Sequence, residues 1–214
     1  MAITYPLPLA FLHEFPGWTT EFNLLWRQEQ SRTVGGQTVV KDLGSPLWQL
    51  TAQSKNLKPN LLDYWRAQLT SLENGLKTFR AFPKSRCFPI AYPNGDWPTG
   101  GAFDGVAQLE TIAASRKAIS LSGLPAGFVV SVGDCIQIGE KDLHMIMEPM
   151  TADADGETQQ FEVRPHLWPG VVAPRSATLV KPACIMALVP GSVSTTSDLS
   201  TGRGTVSFQA IEAR

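Results

Sequence analysis

Polar and apolar residues alternate with a period of two along most of this chain, and with the helical period over a single stretch. Thr20–Arg27 and Gln37–Lys41 are short β-branched or apolar runs. Gly35-Gly36 between them supplies positive φ at low cost, so a hairpin is expected here. Trp48-Gln49-Leu50-Thr51-Ala52 alternates as a half-buried strand does. Leu61, Trp65, Leu69 and Leu72 then recur at helical spacing behind Pro59, which suits a first helical turn. Gly75 stands where a left-handed C-cap is expected. That stripe reads as a core face. Lys77–Phe82 returns to alternation and is expected as a strand.

The segment Tyr92-Pro93-Asn94-Gly95-Asp96-Trp97-Pro98-Thr99-Gly100-Gly101 concentrates turn residues and reads as a boundary between two structural units. Beyond it helical periodicity disappears. Lys117–Leu121, Phe128–Val132, Cys135–Ile138, Leu143–Met147 and Gln160–Arg164 are strand-like runs punctuated by Gly and Pro, the pattern of a small barrel or sandwich. Cys135–Gly139 and Leu143–Met147 are expected to pair about a bend at Glu140-Lys141-Asp142. The C-terminal Gly204–Glu212 is a strong strand, with Val206, Phe208 and Ala210 on one side. A lone terminal strand has to find a sheet, and residues 1–95 are its expected partner.

Composition sharpens this picture without changing it. The 214 residues are 43% hydrophobic and 17% charged, with 18 Gly and 16 Pro, which fits a turn-rich β fold and argues against disorder or a coiled coil. A net charge of −1 provides no global basic field for nucleic acid or anionic membrane. Basic residues dominate before the boundary and acidic residues after it. Cys87, Cys135 and Cys184 are widely spaced and read as buried reduced thiols. The N-terminal region lacks a basic segment and is broken by Pro6, Pro8 and Pro16, so neither a signal peptide nor a membrane span is expected, and the chain is expected to fold in a cytoplasm.

Candidate chemistry is sparse. Nucleophile-elbow, phosphate-loop, dinucleotide and zinc-helix motifs are absent from the sequence, and no cofactor is expected. His13, His144 and His166 are far apart; His144 reads as a strand residue and His166 as a packed loop residue. Thr151, Asp153, Asp155, Gly156 and Glu162 occupy places of a calcium loop, but strand-like flanks favour a tight Asp-Gly turn. Asp96, Asp104 and Glu110 could meet as paired carboxylates, as glycoside hydrolysis would require. Trp18, Trp26, Trp48, Trp65, Trp97 and Trp168 could stack sugars, although core packing is the plainer reading.

The order of segments carries one resemblance. Ala2-Ile3-Thr4-Tyr5-Pro6-Leu7-Pro8, the Glu21-Phe22-Asn23-Leu24 strand, Asp42 through Trp48-Gln49-Leu50 and the Leu61–Leu72 helix follow one another in the first half. Gly133–Gly139, Leu143–Ile146 and the final Phe208–Glu212 strand follow in the second. Over essentially the whole chain this order resembles the distal tail proteins of long-tailed bacteriophages and related gene transfer agents. The resemblance implies a structural, non-enzymatic protein of the virion tail tip, made in the host bacterial cytoplasm. It would form a ring, usually hexameric, joining the tail tube protein to the baseplate hub protein. The implied fold is mainly β: a tail-tube-like α+β belt domain with one helix, residues 1–95 with 183–214, plus a small all-β barrel or sandwich inserted at 96–182. In some members the second domain binds carbohydrate, which implies a weak host-surface sugar as a further partner. Within the belt, the polar segment Gln28–Lys41, with Thr33, Val34, Gly35, Gly36 and Gln37 at its tip, is the candidate contact to an adjacent subunit or to the tube. A tail-borne polysaccharide- or cell-wall-acting enzyme and a carbohydrate-binding module are the alternatives.

Overall fold

The computed structural model describes residues 3–214; Met1, Ala2 and the Trp18 side chain lie outside the described residues. Its helices are α1 (Ala10–Glu14) and α2 (Pro59–Thr70). Its strands are β1 (Gly17–Leu25), β2 (Gln28–Arg32), β3 (Thr38–Asp42), β4 (Leu47–Ser54), β5 (Thr78–Ala81), β6 (Val106–Ile112), β7 (Ala118–Ser122) and β8 (Val129–Val130). They continue with β9 (Cys135–Ile138), β10 (Asp142–Ile146), β11 (Met150–Thr151), β12 (Phe161–Arg164), β13 (Arg175–Thr178), β14 (Cys184–Leu188), β15 (Ser194–Ser197) and β16 (Gly204–Glu212). The protein is mainly β, with one helix of substantial length and a closed six-stranded barrel.

Packing divides the chain into two compact units. One holds the described residues up to Glu14, Phe79–Ile185 and Arg214; the other holds Phe15–Thr78 and Met186–Ala213. The described residues up to Glu14 and residues 79–95, both read above with the belt, therefore fall in the unit that holds the barrel, and Ile90 and Tyr92 contact the barrel directly. Tyr92 lies on Phe128 of the barrel core at 4.7 Å, and Asp134 accepts a hydrogen bond from the Ile90 amide at 2.7 Å.

In the unit built from 15–78 and 186–213, β1, β4, β16 and β14 form an antiparallel sheet in that order, with β15 beside β16. Alternation sets its buried face: Trp48, Leu50 and Ala52 of β4 and Val206, Phe208 and Ala210 of β16 are all buried. The two strands run side by side in the register Phe208↔Ala52 and Ala210↔Leu50. Phe15 makes edge contacts with Trp65 at 5.1 Å and Phe208 at 5.3 Å, joining helix to sheet. The inward face of α2 is Leu62, Trp65 and Leu69, followed by Leu72. Leu61, assigned to that stripe from its spacing, is 40% exposed; Leu62 takes its place, a difference of one residue or 100° of helix.

The helix also ends earlier than Gly75. Ser71 is still right-handed, and Glu73, Asn74 and Gly75 form a second turn at φ of 49°, 55° and 101°. Gly75 is fixed for another reason, because a Cβ there would fall 2.5 Å from the Leu188 carbonyl oxygen.

The barrel closes in the order β10-β12-β7-β6-β13-β9, every pairing antiparallel. Leu109, Ile119, Leu121, Ile136, Ile138, Phe161, Val163 and Ala177 fill its core. β9 and β10 pair as expected from Asp142↔Ile138 to Met145↔Cys135, which leaves Gly139, Glu140 and Lys141 at the bend and puts Asp142 in the strand.

Candidate functional site

Every residue from Leu25 to Leu43 is exposed. Within that stretch β2 and β3 pair from Gln28↔Asp42 to Arg32↔Thr38 as a separate two-stranded sheet. The strand facing β3 is therefore β2; the Thr20–Arg27 run belongs largely to β1, which pairs with β4 instead. At the tip, Thr33 N donates to the Gln37 carbonyl at 2.9 Å and Gln37 N donates to Thr33 Oγ1 at 3.1 Å. Gly36 adopts a φ of 81°, the left-handed conformation that the turn needs. At the root, the Leu43 amide donates to the Arg27 carbonyl at 2.8 Å. Glu29 lies directly opposite Lys41, a favourable cross-strand pair.

The five tip residues are thus brought together, and they top an arm in which every strand residue is exposed. Val34 is fully exposed, Val39 and Val40 about half exposed, and Trp26 and Leu43 project near the root. An isolated two-stranded hairpin is marginal in water, and its two free edges each present unpaired amides and carbonyls. Alternation predicts where such strands run. It does not reveal that neither face meets a core, so the full reach of the arm is visible only in three dimensions.

Outside the arm, His144, Asp134 and Cys135 are titratable groups buried within the barrel unit. His144 is fully buried on β10, and its Nδ1 donates to the Pro165 carbonyl at 2.7 Å. Burial holds it down at about 4, so the imidazole is neutral at physiological pH. Asp134 accepts from the amides of Ile90 and Ser131, and burial raises its pKa above the usual carboxylate value. Burial likewise pushes the Cys135 thiol up to about 12, far from thiolate reactivity. Cys135 and Cys184 are buried free thiols, whereas Cys87 is half-buried.

The calcium-like spacing folds as a turn. Asp153 Oδ1 accepts the amides of Asp155 and Glu157, while Glu162 sits on β12 paired with Arg164. Gly156 is required at φ 79°, since a Cβ would lie 2.1 Å from the Leu124 carbonyl oxygen. The three candidate carboxylates have separate environments. Asp104 lines an open cleft of about 550 Å³ with Trp97, Ala102 and Phe103, and caps the Val106 amide. Glu110 accepts from the Ser122 hydroxyl, and Asp96 is exposed. Trp48 and Trp65 are core residues, Trp97 and Trp168 pack against the barrel core, and Trp26 is the one exposed tryptophan among the described side chains. Among the described residues no helix is long and apolar enough to cross a membrane. A scan against protein-family models and a search of curated proteins each returned no match.

Proposed function

We propose that this protein is a structural component of a phage tail tip, a distal tail protein that forms a ring between the tail tube and the baseplate hub. The observation that carries the reading is the β2–β3 arm, Gln28–Asp42, which lies within nineteen consecutive exposed residues from Leu25 to Leu43. A segment that buries so little in its own unit stands to gain stabilisation from another molecule, and free strand edges are suited to main-chain pairing with it. In a closed ring each copy offers one surface and receives its complement, so one arm per subunit suffices to link all of them. The mainly-β fold and the six-stranded barrel are compatible with the belt-and-insertion organisation that the resemblance implies.

The test replaces Thr33–Gln37 with a short Gly-Ser turn and compares native mass and negative-stain images of wild type and variant. The expected result is a closed ring for wild type, and a variant monomer with an unchanged melting curve that assembles poorly and completes few tails. A variant that makes rings and tails at the wild-type level would remove the arm from the joining role. A wild-type chain that stays monomeric at all concentrations would remove the ring.

A further inference from the structure

This chain holds two Asn-Gly dipeptides, Asn74-Gly75 and Asn94-Gly95, each with an exposed asparagine and a half-buried glycine, but they differ in how they are held. We propose that Asn94 is a site of spontaneous deamidation through a succinimide, and that the fold protects Asn74. Glycine after asparagine leaves the following amide nitrogen unshielded by a side chain. In the reaction the Gly95 amide nitrogen loses its proton to solvent and attacks Asn94 Cγ. The new N–Cγ bond closes a five-membered ring as the Cγ–Nδ2 bond breaks and ammonia leaves. Water then opens the ring at either carbonyl, giving aspartate or isoaspartate. Only water is consumed, and no electrons are transferred.

Asn94 occupies a β-turn led by Pro93 and closed by one bond, Gly95 N to Tyr92 O at 3.0 Å. Its residue is exposed and, among the described residues, nothing hydrogen-bonds its carboxamide, so opening that single turn bond frees both reacting atoms. Asn74 also precedes a glycine whose amide is bonded, to Leu72 O at 3.1 Å. Its side chain, however, accepts the Gly191 amide at 3.0 Å, and its backbone is held at φ 55° between two other left-handed residues. Swinging Cγ onto the Gly75 nitrogen breaks that further bond, which alone slows the reaction about tenfold. The product at Asn94 matters to the barrel. Isoaspartate inserts an extra main-chain atom between Tyr92 and Trp97, whose rings lie 5.6 Å apart and both rest on Phe128.

The experiment incubates the full-length native protein in mildly alkaline buffer and follows each peptide by mass, with isoaspartate counted by enzymatic methylation. The expected result is amide-to-acid conversion in the Asn94 peptide, with the Asn74 peptide lagging about tenfold. In urea-denatured protein the two sites should react at similar rates. Aged wild type should melt earlier than fresh protein, whereas aged Asn94→Gln should not. Equal rates in the native protein, or an Asn74 lag that persists in urea, would overturn protection by the fold. No conversion at Asn94 would overturn the site, and an unchanged melting point in fully converted protein would overturn its effect on the barrel.

Discussion

Arg116 sits at a φ of 57° and donates to three carbonyls of one loop: Nε to Leu167 at 3.0 Å, and Nη2 to Val171 at 2.7 Å and to Trp168. No shorter side chain reaches all three. Arg116→Ala is expected to cost about 2–3 kcal/mol of barrel stability in denaturant titration, because it strands carbonyls that a charged donor had satisfied. Arg116→Gly relieves the backbone but loses the same bonds. It should therefore recover only part of the loss, and full recovery would assign the cost to the backbone. His144 makes stability depend on pH. Its folded pKa of about 4 lies below the ordinary 6.5, so the unfolded chain takes up the proton first as pH falls. Stability is therefore complete above pH ~6.5 and is lost toward pH 4, by about 3 kcal/mol from this group. Asp134 works in the opposite sense, since its raised pKa lets the folded state take up a proton before the unfolded one. Urea midpoints for wild type and His144→Asn across that window should converge as pH falls. Parallel curves would show that His144 is not the titrating group.

Elements follow the alternation wherever it reports a face that meets a core. On β16, Phe208 is buried and Gln209 exposed, so Phe208→Ala should cost about 3–5 kcal/mol and Gln209→Ala almost nothing, read by thermal or urea unfolding. The Asp153–Gly156 turn uses one carboxylate oxygen, Asp153 Oδ1, which an amide oxygen can replace. Changing Asp153 and Asp155 together to Asn should leave the melting temperature unchanged with or without calcium, and a calcium-dependent rise lost in that variant would restore a metal site. These same elements show what was legible. β4, β9, β10 and β16 announce themselves because one or both of their faces are buried. β6 alternates too, with Ala107 and Leu109 inward, but a Gly-rich lead-in disguises it as connector. β13 buries only Ala177 of its four residues, and α1 is too short for a helical period to emerge. The α2 stripe could be placed only to within a residue because Leu61 and Leu62 are chemically equivalent, and packing alone distinguishes them. The arm reads as a polar hairpin; its exposure on both faces has no signature in residue type.

At the scale of the whole molecule the sequence is interleaved. The unit of 15–78 is completed by 186–213, and the barrel segment lies between them in the chain. A fragment ending at residue 95 lacks β16, the neighbour of both β4 and β14. It should show no cooperative unfolding, and removing Thr205–Arg214 from the full chain should abolish folding of the 15–78 unit. A cooperative melt from the 1–95 fragment would show that this sheet closes without its terminal strand.

That central place of β16 also sets a clock during synthesis. Its pairing partner β4 ends at Ser54, and β16 begins at Gly204. At bacterial and eukaryotic translation speeds the intervening stretch of roughly 150 residues takes about 8–30 s to make. Throughout that interval β4 has an unpaired edge on the nascent chain, while the barrel strands emerge and can pair among themselves. The sheet is thus obliged to mature last, and a chain cut short anywhere in the barrel keeps the β1–β4 pair but leaves the other edge of β4 without β16.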